Sequence, residues 1–456
     1  MTTEEALNIA DKAISELTGK FLTDLQSELL KASWKNQTYE DFAETHGYCL
    51  DYVKKDVGSQ LWRLLSEGLG EKVTKKNFRQ ALERHKELHK FVNFQEKEKR
   101  YDLGNSPDTS VFYGNEKELG TLKNWVLEDR CRLIAIVGVG GIGKTALAGQ
   151  LMEQVKDEFE YVIWRSLRHT IVQKNIVGEL VYFLSDKHDG NTKTESLLQY
   201  LRSSRCLVIL DRLESILEPG KLTGEYSQGY EEYGELLKLI GETNHQSCFI
   251  LTSREKPFEI SDLEGQKSSV RSLRLKGSLE IAQALIKQEG LSGSEEEKQE
   301  LCWNYGCNPK ALKISSTSIN DLFDGKISDF LEQDTIVLNG IRRLLDSQFA
   351  RLSSLEQIIM YWLAINRSWI SIPDLVKDIT PVVHQTKILK AIESLHRRSL
   401  VEKRSSKYTQ QLMVMDYTKE RLIEGITDES IDQKISLFND DTLLKKAFKD
   451  HVAKIL

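Results

Sequence analysis

Residues 133–148 read Leu133-Ile134-Ala135-Ile136-Val137-Gly138-Val139-Gly140-Gly141-Ile142-Gly143-Lys144-Thr145-Ala146-Leu147-Ala148. Five apolar residues that read as a buried strand run into GxxxxGK[ST], and the motif opens a helix. That context distinguishes a phosphate-binding loop from a chance glycine-rich turn. The glycines let the backbone bend so that successive N–H groups face inward toward phosphate oxygens. The helix N-terminus adds partial positive charge. Lys144 brings a cation to the terminal phosphates, and the Thr145 hydroxyl is a Mg²⁺ ligand. The candidate phosphate-binding residues are Gly138, Gly140, Gly141, Ile142, Gly143, Lys144, Thr145 and Ala146.

Around this loop the pattern alternates between strands and helices. Short apolar runs at 133–137, 161–166, 206–210, 248–252 and 270–275 are separated by helical or polar segments, which predicts a parallel sheet covered on both faces. The run at 206–210 ends in Asp211, a carboxylate placed to hold Mg²⁺ directly or through its ligands. The run at 248–252 leads into Ser253 and Arg254, a cation at a strand end where it can touch a γ-phosphate. A surface arginine at a strand end is the alternative reading of Arg254. Asp211 and Arg254 are the candidate catalytic residues, and Thr145 and Asp211 the candidate metal ligands.

Residues 1–95 are expected to be helical. Leucines recur at helical spacing, and Thr38 with Asp41 forms a capping-box pattern before a helix that ends near Gly47. A further helix runs through Tyr52, Val53 and Val57, giving helix, turn, helix. Residues 96–110 are polar and rich in turn formers and read as a linker. Residues 277–343 read as a helical subdomain. Within 344–426, a helix at 386–396 is followed by two short apolar runs, 400–403 and 411–414, which suggest a hairpin and hence a winged helix. Residues 427–456 keep helical spacing.

The chain has 456 residues, enough for several domains. It carries 63 basic and 69 acidic side chains, net -6, so there is no global electrostatic case for nucleic acid or anionic membrane. The N-terminus has no signal-peptide pattern, and no apolar run reaches the length of a membrane span. The six cysteines are scattered without a CxxC pair, which fits a reducing cytoplasm and argues against structural zinc. Over residues 1–90 there are 14 basic and 15 acidic side chains, so a DNA role for the helix-turn-helix lacks charge support. Trp34, Tyr39, Phe42 and Trp62 read as core rather than as base-stacking residues.

Several motifs occur in the order of one family. These are Val111-Phe112-Tyr113-Gly114, the phosphate loop, 207–211, Leu251-Thr252-Ser253-Arg254 and Asn308-Pro309-Lys310-Ala311-Leu312. In this order the chain resembles the NB-ARC (AP-ATPase) branch of STAND NTPases over roughly residues 111–426. The resemblance implies a multidomain α/β protein, in which a P-loop domain (111–276), a helical domain and a winged helix close over ADP. It also implies opening and homo-oligomerisation when ATP replaces ADP. By position, Phe112 and Tyr113 would flank the base, Pro309 would contact adenine, and Arg254 would sense the γ-phosphate. The N-terminal region, residues 1–95, resembles the vWA-MoxR-associated-protein N-terminal helix-turn-helix domain, common in cyanobacteria. This resemblance rests on Trp34, Gln37-Thr38-Tyr39, Phe42-Ala43, Leu61-Trp62, Leu65-Ser66 and Lys75-Lys76-Asn77-Phe78, and an adaptor role toward a protein effector is expected for it.

Four positions depart from the family pattern. Asn115 stands in place of Arg, Arg212 in place of Asp or Asn, Cys307 in place of Gly, and Met415 in place of the His of the Met-His-Asp motif. Arg212 stays protonated and cannot act as a general base. Nucleotide binding is therefore expected, hydrolysis is expected to be slow or lost, and the grip on ADP is expected to be weaker. Relatives continue into a repeat sensor, and none is legible before Leu456, so a sensor is expected on another polypeptide or in a longer form. The competing reading is an ATP-regulated DNA-binding transcription factor.

Overall fold

The computed structural model describes residues 3–18, 21–93, 99–109, 114–168, 176–185, 192–333, 336–379, 383–426 and 442–448, excepting the side chains of 16–18, 86–93 and 378. The chain divides into two compact units, 1–98 and 99–456.

The first unit is helical: α1 (Thr3–Thr18), α2 (Asp24–Trp34), α3 (Tyr39–His46), α4 (Gly58–Leu69) and α5 (Phe78–Asn93). The predicted capping box is present. Thr38 Oγ1 accepts from the Asp41 amide at 3.1 Å, Asp41 Oδ2 accepts from the Thr38 amide at 3.0 Å, and Gly47 ends α3 at φ +70°. The next helix starts as a π-turn over Tyr52–Val57 and continues as α4. Phe42 and Trp62 are buried, and Tyr39 accepts a 2.7 Å hydrogen bond from Trp62 Nε1. The Arg79 guanidinium lies over the Trp34 ring. These aromatic side chains are spent on packing within the domain. On the second helix of the motif, Lys55 and Arg63 face Asp51 and Glu67 one turn away.

The second unit is built on β1 (Arg100–Asp102), β2 (Leu133–Val137), β3 (Tyr161–Ser166), β4 (Cys206–Asp211), β5 (Cys248–Ser253) and β6 (Val270–Arg274), in the order β1-β3-β4-β5-β2-β6 with every pairing parallel. β2, β4 and β5 are buried at every residue, as strands covered on both faces must be. On the two faces lie α6 (Glu116–Leu127), α7 (Lys144–Val155), α8 (Ile176–Leu184), α9 (Thr194–Ser203), α10 (Glu232–Glu242) and α11 (Phe258–Leu263), forming two apolar layers. Cys206 and Cys248 sit inside them as small hydrophobes.

The structure differs from the sequence reading at β1. Residues 100–102, placed in the linker, form an edge strand beside β3, tied by Arg165 to Asp102 at 2.6 Å. Three residues are too few for a periodic signal, and only the pairing with β3 specifies the strand.

Beyond the sheet the chain is helical through α12 (Leu279–Gln288), α13 (Glu295–Asn304), α14 (Pro309–Phe323), α15 (Ile327–Leu331), α16 (Asn339–Phe349) and α17 (Ser354–Asn366). Then come β7 (Ile370–Ser371), α18 (Ile372–Ile379), α19 (Gln385–Arg397), β8 (Glu402–Arg404), β9 (Lys407–Thr409) and α20 (Leu412–Ile426). The three short strands form an antiparallel sheet in the order β7-β9-β8. A hairpin follows α19 as expected, but its second strand is Lys407–Thr409. Residues 411–414, expected as that strand, instead lead into α20. A short apolar run fits either period, and here Met413, Val414 and Tyr417 bury one helical face. Of the C-terminal helical tail, Leu444 and Phe448 are buried, with Phe448 against the Trp362 ring, while 427–441 and 449–456 lie outside the described residues.

A buried charge network fastens this helical region to the sheet. Arg398 reaches Glu255 at 2.5 Å and Glu356 at 3.0 Å, and Arg351 reaches Glu255 at 2.6 Å. Ser394 donates to Glu356 and also accepts from the Thr223 amide. Removing one member leaves the others charged and dry. Glu356→Ala is expected to cost about 3–5 kcal/mol in denaturant unfolding, and an unchanged midpoint would refute the network's structural role.

Candidate functional site

The loop between β2 and α7 takes the conformation its glycines allow. Gly141 and Gly143 have φ of +86° and +105°, where a side chain would be strained. Gly138 lies so close to Leu275 that a Cβ would sit 2.7 Å from its carbonyl oxygen. The Ile142 side chain is buried and anchors the loop to the layer below. The first helical turn closes with the Leu147 amide on Gly143 O, which leaves the amides of Lys144, Thr145 and Ala146 at the open N-terminus of α7.

Lys144 is buried, and its Nζ donates to the carbonyls of Gly138 at 2.7 Å and Val139 at 3.1 Å. Burial pushes its pKa down to about 8, against the pull of Glu214. A polyanion beside the ammonium would reverse that shift by supplying the missing counter-charge.

β4 delivers Asp211, buried at the C-terminal edge of the sheet. Its Oδ1 accepts from Thr145 Oγ1 at 2.8 Å and from Thr252 Oγ1 at 2.5 Å. Thr145 and Asp211, read as metal ligands from the sequence, are thus brought into contact. A hydroxyl and a carboxylate are hard oxygen donors that fit Mg²⁺, which takes one or two protein carboxylates and draws its remaining ligands from phosphate and water. Among the described residues there is no cluster of three or more His, Cys, Asp or Glu suited to a metal. Arg212 takes a left-handed backbone (φ +64°) and turns its guanidinium to 3.4 Å from Asp211 Oδ2.

Arg254 stands beyond β5. Its Nε is 3.3 Å from Glu214 Oε1, its amide donates to Glu214 Oε2 at 3.1 Å, and its Nη1 donates to Ser347 Oγ at 3.1 Å. Glu214, three residues beyond Asp211, thus holds Arg254, a role its sequence position did not reveal.

Two further residues had no role assigned from the sequence, although Asn308 opens the motif at 308–312. Asn308 caps α14, its Oδ1 accepting from the Lys310 and Ala311 amides, while its Nδ2 donates to Gly140 O at 2.9 Å. Gln348, near the end of α16, accepts from the Gly140 amide at 3.0 Å. An Asn before a Pro is a legible cap signal. Nothing local marks Gln348, because its role comes from three-dimensional closure alone.

Pro309 is the first residue of α14, directly beyond Asn308. Phe112 and Tyr113 lie outside the described residues; their neighbour Gly114 packs against Ile281 on α12. Cys307 has φ +51°, a left-handed position that explains why a glycine suits it. Met415 is buried on α20, and Asp416 accepts from Arg367 at 3.1 Å.

Residues 115–218 match the family model of the NB-ARC domain, and residues 1–85 that of the vWA-MoxR associated protein N-terminal HTH. The chain therefore carries an NB-ARC P-loop NTPase domain preceded by that helix-turn-helix domain. It is 45% identical over 347 residues to a WD repeat-containing protein of Nostoc sp., covering 72% of this chain and 28% of that protein. It is 28% identical over 120 residues to the disease resistance RPP13-like protein 4 of Arabidopsis thaliana, covering 24% of this chain and 14% of that one. The chain thus spans less than a third of the length of either relative. Among solved structures it is similar to a STAND protein with a tetratricopeptide repeat sensor from Pyrococcus horikoshii, at 20% identity and TM-score 0.37 over 77% of this chain and 49% of that one.

Asp211→Asn should reduce the gain in ATP affinity that Mg²⁺ confers by about tenfold to a hundredfold. Titrations with and without EDTA would measure this, and an undiminished Mg²⁺ effect would remove Asp211 from the metal site.

Proposed function

We propose that the protein is an adenine-nucleotide-controlled signalling or defence switch of the STAND type, closed with ADP and opened and oligomerised with ATP and Mg²⁺. The observation that carries this reading is the closure at Gly140. Asn308 at the N-cap of α14 and Gln348 on α16 hydrogen-bond the carbonyl and the amide of one phosphate-loop residue, Gly140, so the nucleotide site and the helical regions share contacts. An enzyme that must release product at each cycle has no need to bury its phosphate loop this way; a switch does.

The domain reading supports this. α12–α15 act as the helical domain. α17, α18 and α19 with the β7-β9-β8 sheet have the order of a winged helix, used here to close over the nucleotide rather than to read DNA. Phe112 and Tyr113 flank the base, Pro309 touches adenine, and Arg254 meets the γ-phosphate. Hydrolysis is slow at most, because Arg212 faces Asp211. The N-terminal domain serves as an adaptor to a protein effector or sensor. Its acidic partners to Lys55 and Arg63 disfavour the alternative, an ATP-regulated DNA-binding factor. A cytoplasmic setting fits the scattered cysteines, and among the described residues no helix is long and apolar enough to cross a membrane.

Chromatography of the nucleotide released by denaturing the purified protein should find about one ADP per chain, the stoichiometry of a single P-loop site. Lys144→Ala should purify empty, since it removes the cation that neutralises the terminal phosphates. Normal ADP content in that variant would overturn the site assignment, and sustained fast ATP turnover would overturn the switch.

A further inference from the structure

The two ends of the phosphate loop face different phosphates. The helix amides at 144–146 lie where the inner phosphate is held, while Lys144 Nζ, the cation for the terminal phosphates, lies on the carbonyls of Gly138 and Val139. The Gly140 amide is therefore on the limb that faces the terminal phosphate. Arg254 approaches the same region from the end of β5, the strand next to β2.

Consecutive residues of α16 occupy both groups. Gln348 Oε1 accepts from the Gly140 amide at 3.0 Å, and Ser347 Oγ accepts from Arg254 at 3.1 Å. The Gln348 amide has one consistent orientation, because Nε2 donates to Leu344 O while Oε1 faces an N–H. The side chain is buried, and a Cβ on Gly140 would lie 3.1 Å from it, which leaves little free space between loop and helix.

We infer that Gln348 sets the preference for a nucleoside diphosphate over the triphosphate, by holding with Ser347 the two donors that a third phosphate would take. The inference rests on the switch reading above. With a diphosphate bound, the Gly140 amide and Arg254 remain on α16. A third phosphate competes for both, and to reach them it must displace the end of that helix. One turn further along the chain, Arg351 binds Glu255, the residue next to Arg254, at 2.6 Å and donates to Leu217 O at 3.0 Å. Displacing α16 therefore also strains the buried charge network. This supplies a latch from α16, in a chain whose Met-His-Asp histidine is replaced by Met415.

The test is the ratio of ATP to ADP affinity of the full chain, stripped of nucleotide and titrated with each in Mg²⁺. Gln348→Met keeps the volume and removes the acceptor; it should raise the ratio by about threefold to tenfold, the value of one hydrogen bond. Gln348→Glu still accepts from Gly140 but repels a third phosphate, so it should lower the ratio. A merely structural role would move both variants the same way or neither. Either of those results, with both nucleotides still bound, overturns the latch and leaves the P-loop switch standing. A wild-type chain that binds neither nucleotide would instead overturn the switch reading.

Discussion

The backbone of Gly140 is held at both its amide and its carbonyl by side chains 168 and 208 positions further along the chain. Asn308 takes its carbonyl and Gln348 its amide. Each hydrogen bond is worth only about 0.5–1.5 kcal/mol net. They matter because they fall on the one loop that must also receive phosphate. The glycine-rich backbone that leaves room for an anion also leaves room for these side chains, and the two uses compete.

Around this contact, polar groups are paired at each step. Asp211 gathers two hydroxyls, Glu214 holds Arg254, and Glu255 with Glu356 holds Arg351 and Arg398. Buried ion pairs of this kind add little to stability compared with a well-packed apolar core, but they are costly to break one member at a time. Such a junction therefore resists gradual loosening. Arg254 and Glu255 are adjacent residues with separate tasks, one facing the phosphate loop and the other anchoring the helical region.

Much of this was legible from the sequence. The phosphate loop, five of the strands and the capping box at Thr38 follow from local chemistry, and each lies where its pattern put it. Asp211 and Thr145 meet as their motif spacing implied. What escaped was non-local. β1 exists because β3 offers it an edge. Residues 411–414 were too short a run for their period to be read. Gln348 and Glu214 look like ordinary helix and loop residues until folding brings them to Gly140 and Arg254.

The long separation within the Gly140 contact has a consequence for biosynthesis. The sheet and its loop are complete by β6, at Arg274, but the closing side chains follow at positions 308 and 348. Contacts that close long loops bear the greater entropic cost and form late. A chain emerging from the ribosome thus presents a finished phosphate loop before the residues that cover it have been made. At that stage the Gly140 amide and carbonyl have no side-chain partner, and only the later segments supply one.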